Sequence, residues 1–218
     1  MSKRILTTSL VAVVAMGFLG NSAMAEIIVH HPVNSNQSDY YPSFAGGMDA
    51  KSLWDEYGND TAKNVERPDL TDPTSWYISS FNGSGWMTHD DLTTPVGHWV
   101  VLDLGTEYDL DYIDVWNYNH HSVPALNARG INEVRIWKAD DIDGTVSAST
   151  PLYDGNFTIS PTNATPMYYN DHIALTGATG VRFVKIVVDS THGAENCVGL
   201  GFVTFEENVV PEPSTLAL

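Results

Sequence analysis

From Trp99 onward the sequence is a succession of short runs of β-branched and aromatic residues, each closed by Gly, Asp, Asn or Pro. Such runs are strand signals, and the residues between them are turn formers. No segment carries the apolar periodicity of a long amphipathic helix. The pattern therefore predicts an antiparallel all-β sandwich, with strands at 99–105, 112–119, 131–139, 151–160, 172–175, 181–190 and 198–207.

The alternation within two of these runs predicts how each strand is buried. In YIDVWNYN, Ile113 and Val115 fall on one face and Asp114 and Trp116 on the other, which predicts one core face and one mixed face. In VRFVKIVVDS apolar residues occupy both faces, which predicts a central strand covered on both sides. The stretch 27–98 is rich in Ser, Asn, Asp, Gly and Pro, and it predicts long loops with a few short strands.

The first 25 residues have the organisation of a secretory signal peptide. MSKR is basic, ILTTSLVAVVAMGFLG is apolar and NSAMA ends in small residues, so we expect cleavage after Ala25. A membrane helix is the weaker alternative, because the apolar run is shorter than the roughly 18–20 residues that a span requires. Residues 26–208 are then enough for a single domain with its own core.

The exported part is expected to be strongly acidic. The full chain has a formal net charge of -17, and removal of Lys3 and Arg4 leaves 8 basic against 27 acidic residues, a charge of -19. This argues against a nucleic-acid partner, since phosphate binding depends on clusters of Lys and Arg. Cys197 is the sole cysteine, so no disulfide within the chain holds the domain together. Its apolar surroundings predict a small buried side chain.

Three sequence blocks, taken in order, resemble the discoidin, or coagulation-factor type C, branch of the galactose-binding-like domains. They are WVVLDLG (99–105), VWNYN (115–119) and RGINEVRI (129–136), and the closing segment VRFVKIVVDSTHGAENCVGLGFVTFEE is similar to that family's last two strands. The likeness is close from residue 97 onward and loose over 50–96. It implies a jelly-roll β-sandwich whose loops at one end bind sugars, other glycans, proteins or lipid head groups, and it does not imply catalysis.

The resemblance also implies a structural calcium ion, held by an early Asp-containing loop and by a Glu in the last strand. The loop LWDEYGND makes Asp55 and Asp60 the candidates, and their hard oxygens suit calcium. Phe202 occupies the position of the Glu, and a phenyl ring cannot bind calcium. The site is therefore lost, moved or completed by backbone oxygens. Glu206 and Glu207, which follow closely, would need a different geometry to replace the missing ligand.

Polar side chains around the loop after WNYN are the candidates for ligand binding. His120 and His121 can donate hydrogen bonds to hydroxyls. Asn119 and Arg129, at the two ends of that loop, add planar donor groups suited to vicinal sugar hydroxyls or carboxylates. The alternatives are that Asn119 caps its strand, that Arg129 pairs with an acidic residue, and that the histidines are only solvated.

A second candidate is the segment SFNGSGWMTHDDL (80–92), which the family pattern does not require. Trp86, on this Gly- and Ser-rich loop, would offer a ring face on which a pyranose stacks, with His89 beside it as a hydrogen-bonding group. Alternatively, Trp86 folds back over the core. A zinc site that combines the histidine pair with His89 or His98 is disfavoured, since adjacent loop residues point apart and no zinc-type spacing occurs.

The last residues, VVPEPSTLAL (209–218), resemble the opening of a PEP-CTERM sorting signal: V-P-E-P, then an apolar membrane helix, then an Arg-rich end. Only the motif and the first apolar residues, Leu216 to Leu218, are present, so we expect the chain to be cut short. In that family the helix anchors the exported protein transiently in the inner membrane of a Gram-negative bacterium until an exosortase processes it. The resemblance therefore implies a secreted or cell-surface location.

Together these features predict a secreted or surface-sorted, non-catalytic module that binds carbohydrate in an extracellular polysaccharide matrix. The alternative is a structural or protein-interaction component of that matrix without a small-ligand pocket. An enzyme ranks third, because the sequence has no G-x-S-x-G, no Cys with a partnered His and no phosphate loop.

The calcium site predicts a measurable gain in stability. If Asp55 and Asp60 hold the ion, the protein unfolds at a higher temperature in calcium than with a calcium-selective chelator, because ligation stabilises only the folded state. Thermal unfolding followed by circular dichroism measures the difference. Coincident unfolding curves would contradict the calcium site.

Overall fold

The computed structural model describes residues 26–30, 32–38, 65–66, 77–78, 86–88, 96–119, 123–160, 167–168 and 171–209. Within these ranges lie one 3₁₀ helix, Pro124–Arg129, and thirteen strands. The strands are β1 Glu26–His30, β2 Asn34–Gln37, β3 Val65–Glu66, β4 Tyr77–Ile78, β5 Trp86–Met87, β6 Trp99–Tyr108, β7 Tyr112–Asn117, β8 Glu133–Ala139, β9 Tyr153–Asn156, β10 Met167–Tyr168, β11 Asp171–Ala174, β12 Val181–Val188 and β13 Gly199–Val209. In the described part of the chain, no helix is long and apolar enough to cross a membrane.

Two antiparallel five-stranded sheets carry the fold. The first has the order β1-β13-β7-β11, with β5 also paired to β13, and the second has the order β2-β6-β12-β8-β9. The short strands β10, β4 and β3 form a small third sheet. β1 pairs with β13 in a register that sets Glu26 opposite Val209. The prediction of an antiparallel all-β sandwich is confirmed, and each predicted strand is present with bounds shifted by a few residues.

A single apolar cluster joins the facing sides of the two large sheets. The alternating residues of each strand supply it, and each fully buried aliphatic or aromatic side chain contributes roughly 1.5–3 kcal/mol. Its members include Ile113, Val115, Val203 and Phe205 from the first sheet and Val100, Leu102, Val134, Ile136, Val184 and Ile186 from the second. Cys197 forms no disulfide and is fully buried, as predicted.

β7 and β12 are buried differently from the sequence predictions. Asp114 and Trp116, on the face of β7 away from the core, are fully buried, so the face predicted to be mixed is closed to water. There Trp116 makes an edge contact with Phe202 of β13. β12 is central in its sheet as predicted, but its outer face is half-exposed. On that face the ammonium group of Lys185 lies 5.1 Å from the ring centre of Trp99, so a long basic side chain takes the place of a second apolar layer.

Asn117, the last residue of β7, ties the end of the strand to neighbouring segments. Its Nδ2 donates hydrogen bonds to the carbonyls of Ile131 (2.7 Å) and Thr158 (3.0 Å). Its Oδ1 accepts from the backbone N–H groups of Tyr118 (2.9 Å) and Ile131 (3.0 Å). The residue is fully buried. Because buried backbone groups must be paired, this one amide fixes segments that lie 14 and 41 residues further along the chain.

Asp103 of β6 and Arg182 of β12 form a bidentate ion pair across two adjacent strands. Nε and Nη2 of Arg182 donate to the carboxylate oxygens at 2.9 and 3.2 Å, and the N–H of Gly105 donates to Oδ1 at 2.9 Å. The hydrogen bonds from Arg182 hold the pKa of Asp103 below its ordinary value; burial acts in the opposite direction, and the Gly105 bond adds to the lowering.

Replacement of Asn117 by Ala is expected to lower the free energy of unfolding by about 3 kcal/mol, because several buried backbone groups then lose their hydrogen-bond partner at once. Urea denaturation measures the change. Asn156→Ala is the matched control, since this Asn is exposed and its side chain makes one hydrogen bond, to Asn132. Equal effects of the two substitutions would show that the Asn117 network does not stabilise the fold.

The Asp103 pair predicts a component of acid sensitivity. A carboxyl whose folded pKa is depressed stabilises the protein fully above its unfolded pKa of about 3.9, and this stabilisation is lost as the pH falls through the folded value. Wild type should therefore lose more stability than Asp103→Asn when acidified below about pH 4. Denaturation at a series of pH values tests this, with Asp154→Asn as a control of equal charge change. Parallel curves for wild type and Asp103→Asn would contradict it.

Candidate binding site at the loop end

β7 and β12 end, and β8 and β13 begin, at the same end of the sandwich. Antiparallel pairing causes this, because it places Asn117, at the end of β7, opposite Leu200, near the start of β13. The segments that connect these strands, together with the segment that follows β9 at the same end, are called the loop end. Its described parts are 118–119, 123–132, 157–160 and 189–198, and they include Asn119 and Arg129.

Segments 123–132 and 189–198 are held together by their main chains. Two hydrogen bonds of 3.1 Å run from the N–H of His192 to Gly130 and from that of Ala194 to Ala128, and isolated bridges pair Gly130 with Gly199 and Ile131 with Thr191. A Cβ atom at Gly199 would lie 2.5 Å from Cδ2 of Tyr118, so the glycine permits this close approach. The two segments therefore form one fixed unit.

His192 has a structural role in this unit. Its Nε2 lies 3.0 Å from the carbonyl oxygen of Phe157, which links segment 189–198 to segment 157–160. This hydrogen bond holds the imidazole against the main chain, so Nε2 is not available to a ligand.

Asn119 lies inside the loop end rather than on its surface. Its side chain is buried, and its Oδ1 accepts a hydrogen bond from Nδ2 of Asn127 at 3.1 Å. Asn127 also donates to the carbonyl of Ser160 at 3.1 Å, and the Ser160 hydroxyl donates to the carbonyl of Asn117 at 2.9 Å. These buried amides maintain the loop conformation, so the geometry favours a structural role for Asn119 over direct ligand binding.

Arg129, the last residue of the 3₁₀ helix, is half-buried beside two side chains that the sequence did not single out. Its Nη1 lies 3.9 Å from Sδ of Met87, and its guanidinium interacts with the phenol of Tyr118. Burial raises the pKa of Tyr118, and the positive charge of Arg129 opposes the rise. Tyr118 belongs to the quoted W-N-Y-N block, but the sequence does not show that its ring meets the arginine. This contact arises because Tyr118 is the first residue after the end of β7.

Arg129 differs from the other basic side chains in the described part of the chain. Those side chains have oxygen partners: Arg135 forms a bidentate pair with Asp189 at 2.6 Å, Arg182 pairs with Asp103, Lys138 donates to the carbonyl of Thr179 at 2.9 Å and Lys185 to that of Gly144 at 2.8 Å. No described carboxylate lies within ion-pair distance of Arg129. The alternative considered from the sequence was that Arg129 pairs with an acidic residue. No such ion pair is found among the described residues.

Trp86 is a core residue and not a stacking platform. Its side chain is 0% exposed, it lies opposite Leu200 in the β5–β13 pairing, and it belongs to the apolar cluster between the sheets. A fully buried indole offers no ring face to a sugar. The prediction of an exposed ring is wrong, and the alternative in which the ring folds back over the core is correct. Composition of the surrounding loop could not decide this, because it does not report what the ring packs against.

The other candidates lie outside the described residues. They are His89, His120, His121, Asp55 and Asp60, together with the signal peptide 1–25 and the sorting motif from residue 210 onward. Their roles stay predictions. Phe202, which takes the place of the expected calcium-binding Glu, is fully buried against Trp116.

No protein-family model matches the chain, and no curated protein matches it in sequence. Solved structures are similar to it at low sequence identity. "CBM32 of AlyQ in complex with 4,5-unsaturated mannuronic acid" has a TM-score of 0.48 and 12% identity, covering 82% of this chain and 97% of that chain. "CpGH89CBM32-5, from Clostridium perfringens, in complex with GalNAc-beta-1,3-galactose" has a TM-score of 0.49 and 12% identity, with coverages of 79% and 93%. The family 32 CBM from C. perfringens NanJ in complex with galactose has a TM-score of 0.42 and 13% identity, with coverages of 83% and 100%.

Proposed function

We propose that this chain is an exported, non-catalytic module that binds carbohydrate at the loop end, with Arg129 as its principal ligand-binding residue. The observation that carries this function is the half-buried guanidinium of Arg129, which has no carboxylate or carbonyl acceptor among the described residues. A guanidinium carries several N–H donors in a fixed plane, and its described contacts with Met87 and Tyr118 use only part of them, which is unfavourable for a partly desolvated group until other acceptors are supplied. A ligand with paired oxygens at this position removes that deficit.

In so acidic a chain, the absence of a described carboxylate partner at Arg129 supports a binding role for this residue. With 27 acidic and 10 basic residues, carboxylate partners are abundant, and Arg135 and Arg182 both take one. A random surface arginine would be expected to find an acid in the same way. The described contacts of Arg129 at the loop end are instead a thioether and a phenol, which are weaker acceptors than a carboxylate and so compete less with a ligand.

The chemistry of this position suits a sugar. The planar fork of Arg129 matches two vicinal hydroxyls or one carboxylate, and the phenol of Tyr118 is a further hydrogen-bonding group next to it. The buried Asn119–Asn127–Ser160 network fixes the supporting loop before a ligand arrives, which reduces the entropy lost on binding. Because the remainder of the chain is strongly negative, we expect neutral or singly charged sugars to bind better than highly charged polyanions.

Delivery to the cell exterior and calcium binding belong to the same proposed function and are supported by the sequence. The signal peptide 1–25 supports export, and the V-P-E-P motif supports transient membrane anchoring and processing by an exosortase, which gives a secreted or surface location. Asp55 and Asp60 are the proposed calcium ligands. The side chain of Phe202 has no oxygen to bind the ion, so backbone oxygens complete the site.

The test is a glycan array with the purified protein, in calcium and in a calcium chelator, followed by calorimetric titration of the best sugars. Galactose, GalNAc-beta-1,3-galactose and 4,5-unsaturated mannuronic acid are the first probes, following the ligands named for the similar structures. Arg129→Ala should weaken binding by about tenfold or more, because a charge-assisted hydrogen bond is worth about 1.5–3 kcal/mol.

Lys138→Ala is the matched control for Arg129→Ala. It removes the same charge from the opposite end of β8, where Lys138 donates to Thr179, and it should leave affinity unchanged. Unfolding temperatures of both variants show whether each is folded. Absence of binding to every glycan would favour the matrix-component alternative, and full affinity in folded Arg129→Ala would remove Arg129 from the site.

A further inference from the structure

Three side chains of metal-binding type meet on the first sheet, on the face opposite the core cluster. Asp114 of β7, His172 of β11 and Glu206 of β13 come from three adjacent strands. The register causes the meeting: His172 pairs directly with Asp114, and Thr204 pairs with Asp114 from the other side. Glu206 lies two residues beyond Thr204 and therefore points to the same face.

The ligand atoms of these residues are already close together. Nδ1 of His172 lies 2.8 Å from Oδ1 of Asp114 and 3.7 Å from Oε1 of Glu206. One ligand atom from each residue lies within 4.8 Å of the other two. Ligands of a tetrahedral zinc ion stand about 3.4 Å apart at ordinary bond lengths. Small side-chain rotations are therefore enough to place an ion between the three atoms.

Burial gives this cluster a strong preference for a cation. Asp114 and Glu206 are 0% and 1% exposed, so the two carboxylates share a region that solvent reaches only past the part-exposed His172. Close carboxylates in such a region repel one another, and each is costly to desolvate. A divalent ion coordinated by both carboxylates neutralises the pair directly, whereas the imidazole between them supplies at most one positive charge when protonated.

The surroundings of the cluster orient its members. The ring of His172 stacks on Tyr112 with a centroid distance of 4.2 Å and an angle of 14°, which fixes the imidazole plane with Nδ1 toward the acids. Thr204 donates its hydroxyl to Oδ2 of Asp114 at 3.2 Å, which leaves Oδ1 on the side of the histidine. Outer hydrogen bonds of this kind hold ligating side chains in proteins that bind metals. The histidine side chain is 30% exposed and provides a route from solvent.

We propose that Asp114, His172 and Glu206 bind one divalent transition-metal ion of the zinc class, with solvent completing the coordination. Imidazole nitrogen together with carboxylate oxygen suits zinc, whereas calcium selects oxygen ligands. The ion joins β11, β7 and β13 across the sheet and so stabilises the fold. It shares no residue with Asp55, Asp60 or the loop end, so its presence is independent of carbohydrate binding.

The test compares thermal unfolding and calorimetric titration of the metal-free protein with Zn²⁺ and, separately, with Ca²⁺. Zinc should bind as one ion per chain to this cluster and raise the unfolding temperature, because ligation stabilises only the folded state. His172→Gln and Glu206→Gln should each lose about a hundredfold in zinc affinity and most of the temperature rise. His98→Gln is the matched control, since this half-buried histidine makes a side-chain hydrogen bond to Ser38 and lies outside the cluster.

Crystals of the wild-type protein soaked in Zn²⁺ give a second measurement that does not depend on the folding of any variant. Anomalous scattering should place the ion within bonding distance of Nδ1 of His172 and one oxygen of each acid. The inference is overturned if zinc does not change the unfolding temperature of wild type, if the change persists undiminished in folded His172→Gln, or if the anomalous peak lies elsewhere. A calcium response that survives His172→Gln would belong to the Asp55 and Asp60 site instead.

Discussion

One face of β7 packs Ile113 and Val115 into the core between the sheets, while the opposite face places Asp114 and Trp116 where water is excluded. Apolar burial on the first face supplies free energy of folding without any geometric requirement beyond close packing. The second face imposes a stricter condition, because a buried carboxylate must meet partners of defined position. β11 and β13 provide them on either side of Asp114, through His172 and Thr204.

The same requirement governs the loops at the end of β7. Where the ladder hydrogen bonds of the strand stop, Asn117 replaces them with side-chain bonds to Tyr118, Ile131 and Thr158. Asn127 and Ser160 extend this pairing into the next segments. A loop fixed by buried amides keeps its conformation without a ligand, and it presents Arg129 in a constant position. Rigidity of the sandwich and the recognition proposed at its end therefore have a common physical origin in the pairing of buried polar groups.

The charge balance explains how the few basic residues are used. Arg182 and Arg135 each bridge two segments through a bidentate bond to an aspartate, and Lys185 covers Trp99 while donating to Gly144. These contacts bind strands together in a chain whose carboxylates otherwise repel one another. Arg129 stands apart because its described neighbours are the soft sulfur of Met87 and the phenol of Tyr118.

Several features could be predicted from the sequence because they depend on local pattern. The strands β6 to β9 and β11 to β13 follow from residue type and alternation, and the burial of Cys197 follows from its apolar neighbours. The position of Arg129 at the end of a loop next to W-N-Y-N also follows from chain order. Each of these properties is settled within about ten residues of sequence, which is the range over which side-chain period and turn chemistry act.

Features that depend on contacts between residues far apart in the sequence were decided only by the tertiary structure. The sequence by itself determined an antiparallel sandwich with alternating faces and an acidic surface. It did not determine that Trp86 enters the core, that both faces of β7 are closed, or that Asp114, His172 and Glu206 converge from positions up to 92 residues apart. Alternation states which residues share a face, but strand order and register decide what covers that face. Burial and the meeting of distant side chains are therefore properties of the assembled sheets.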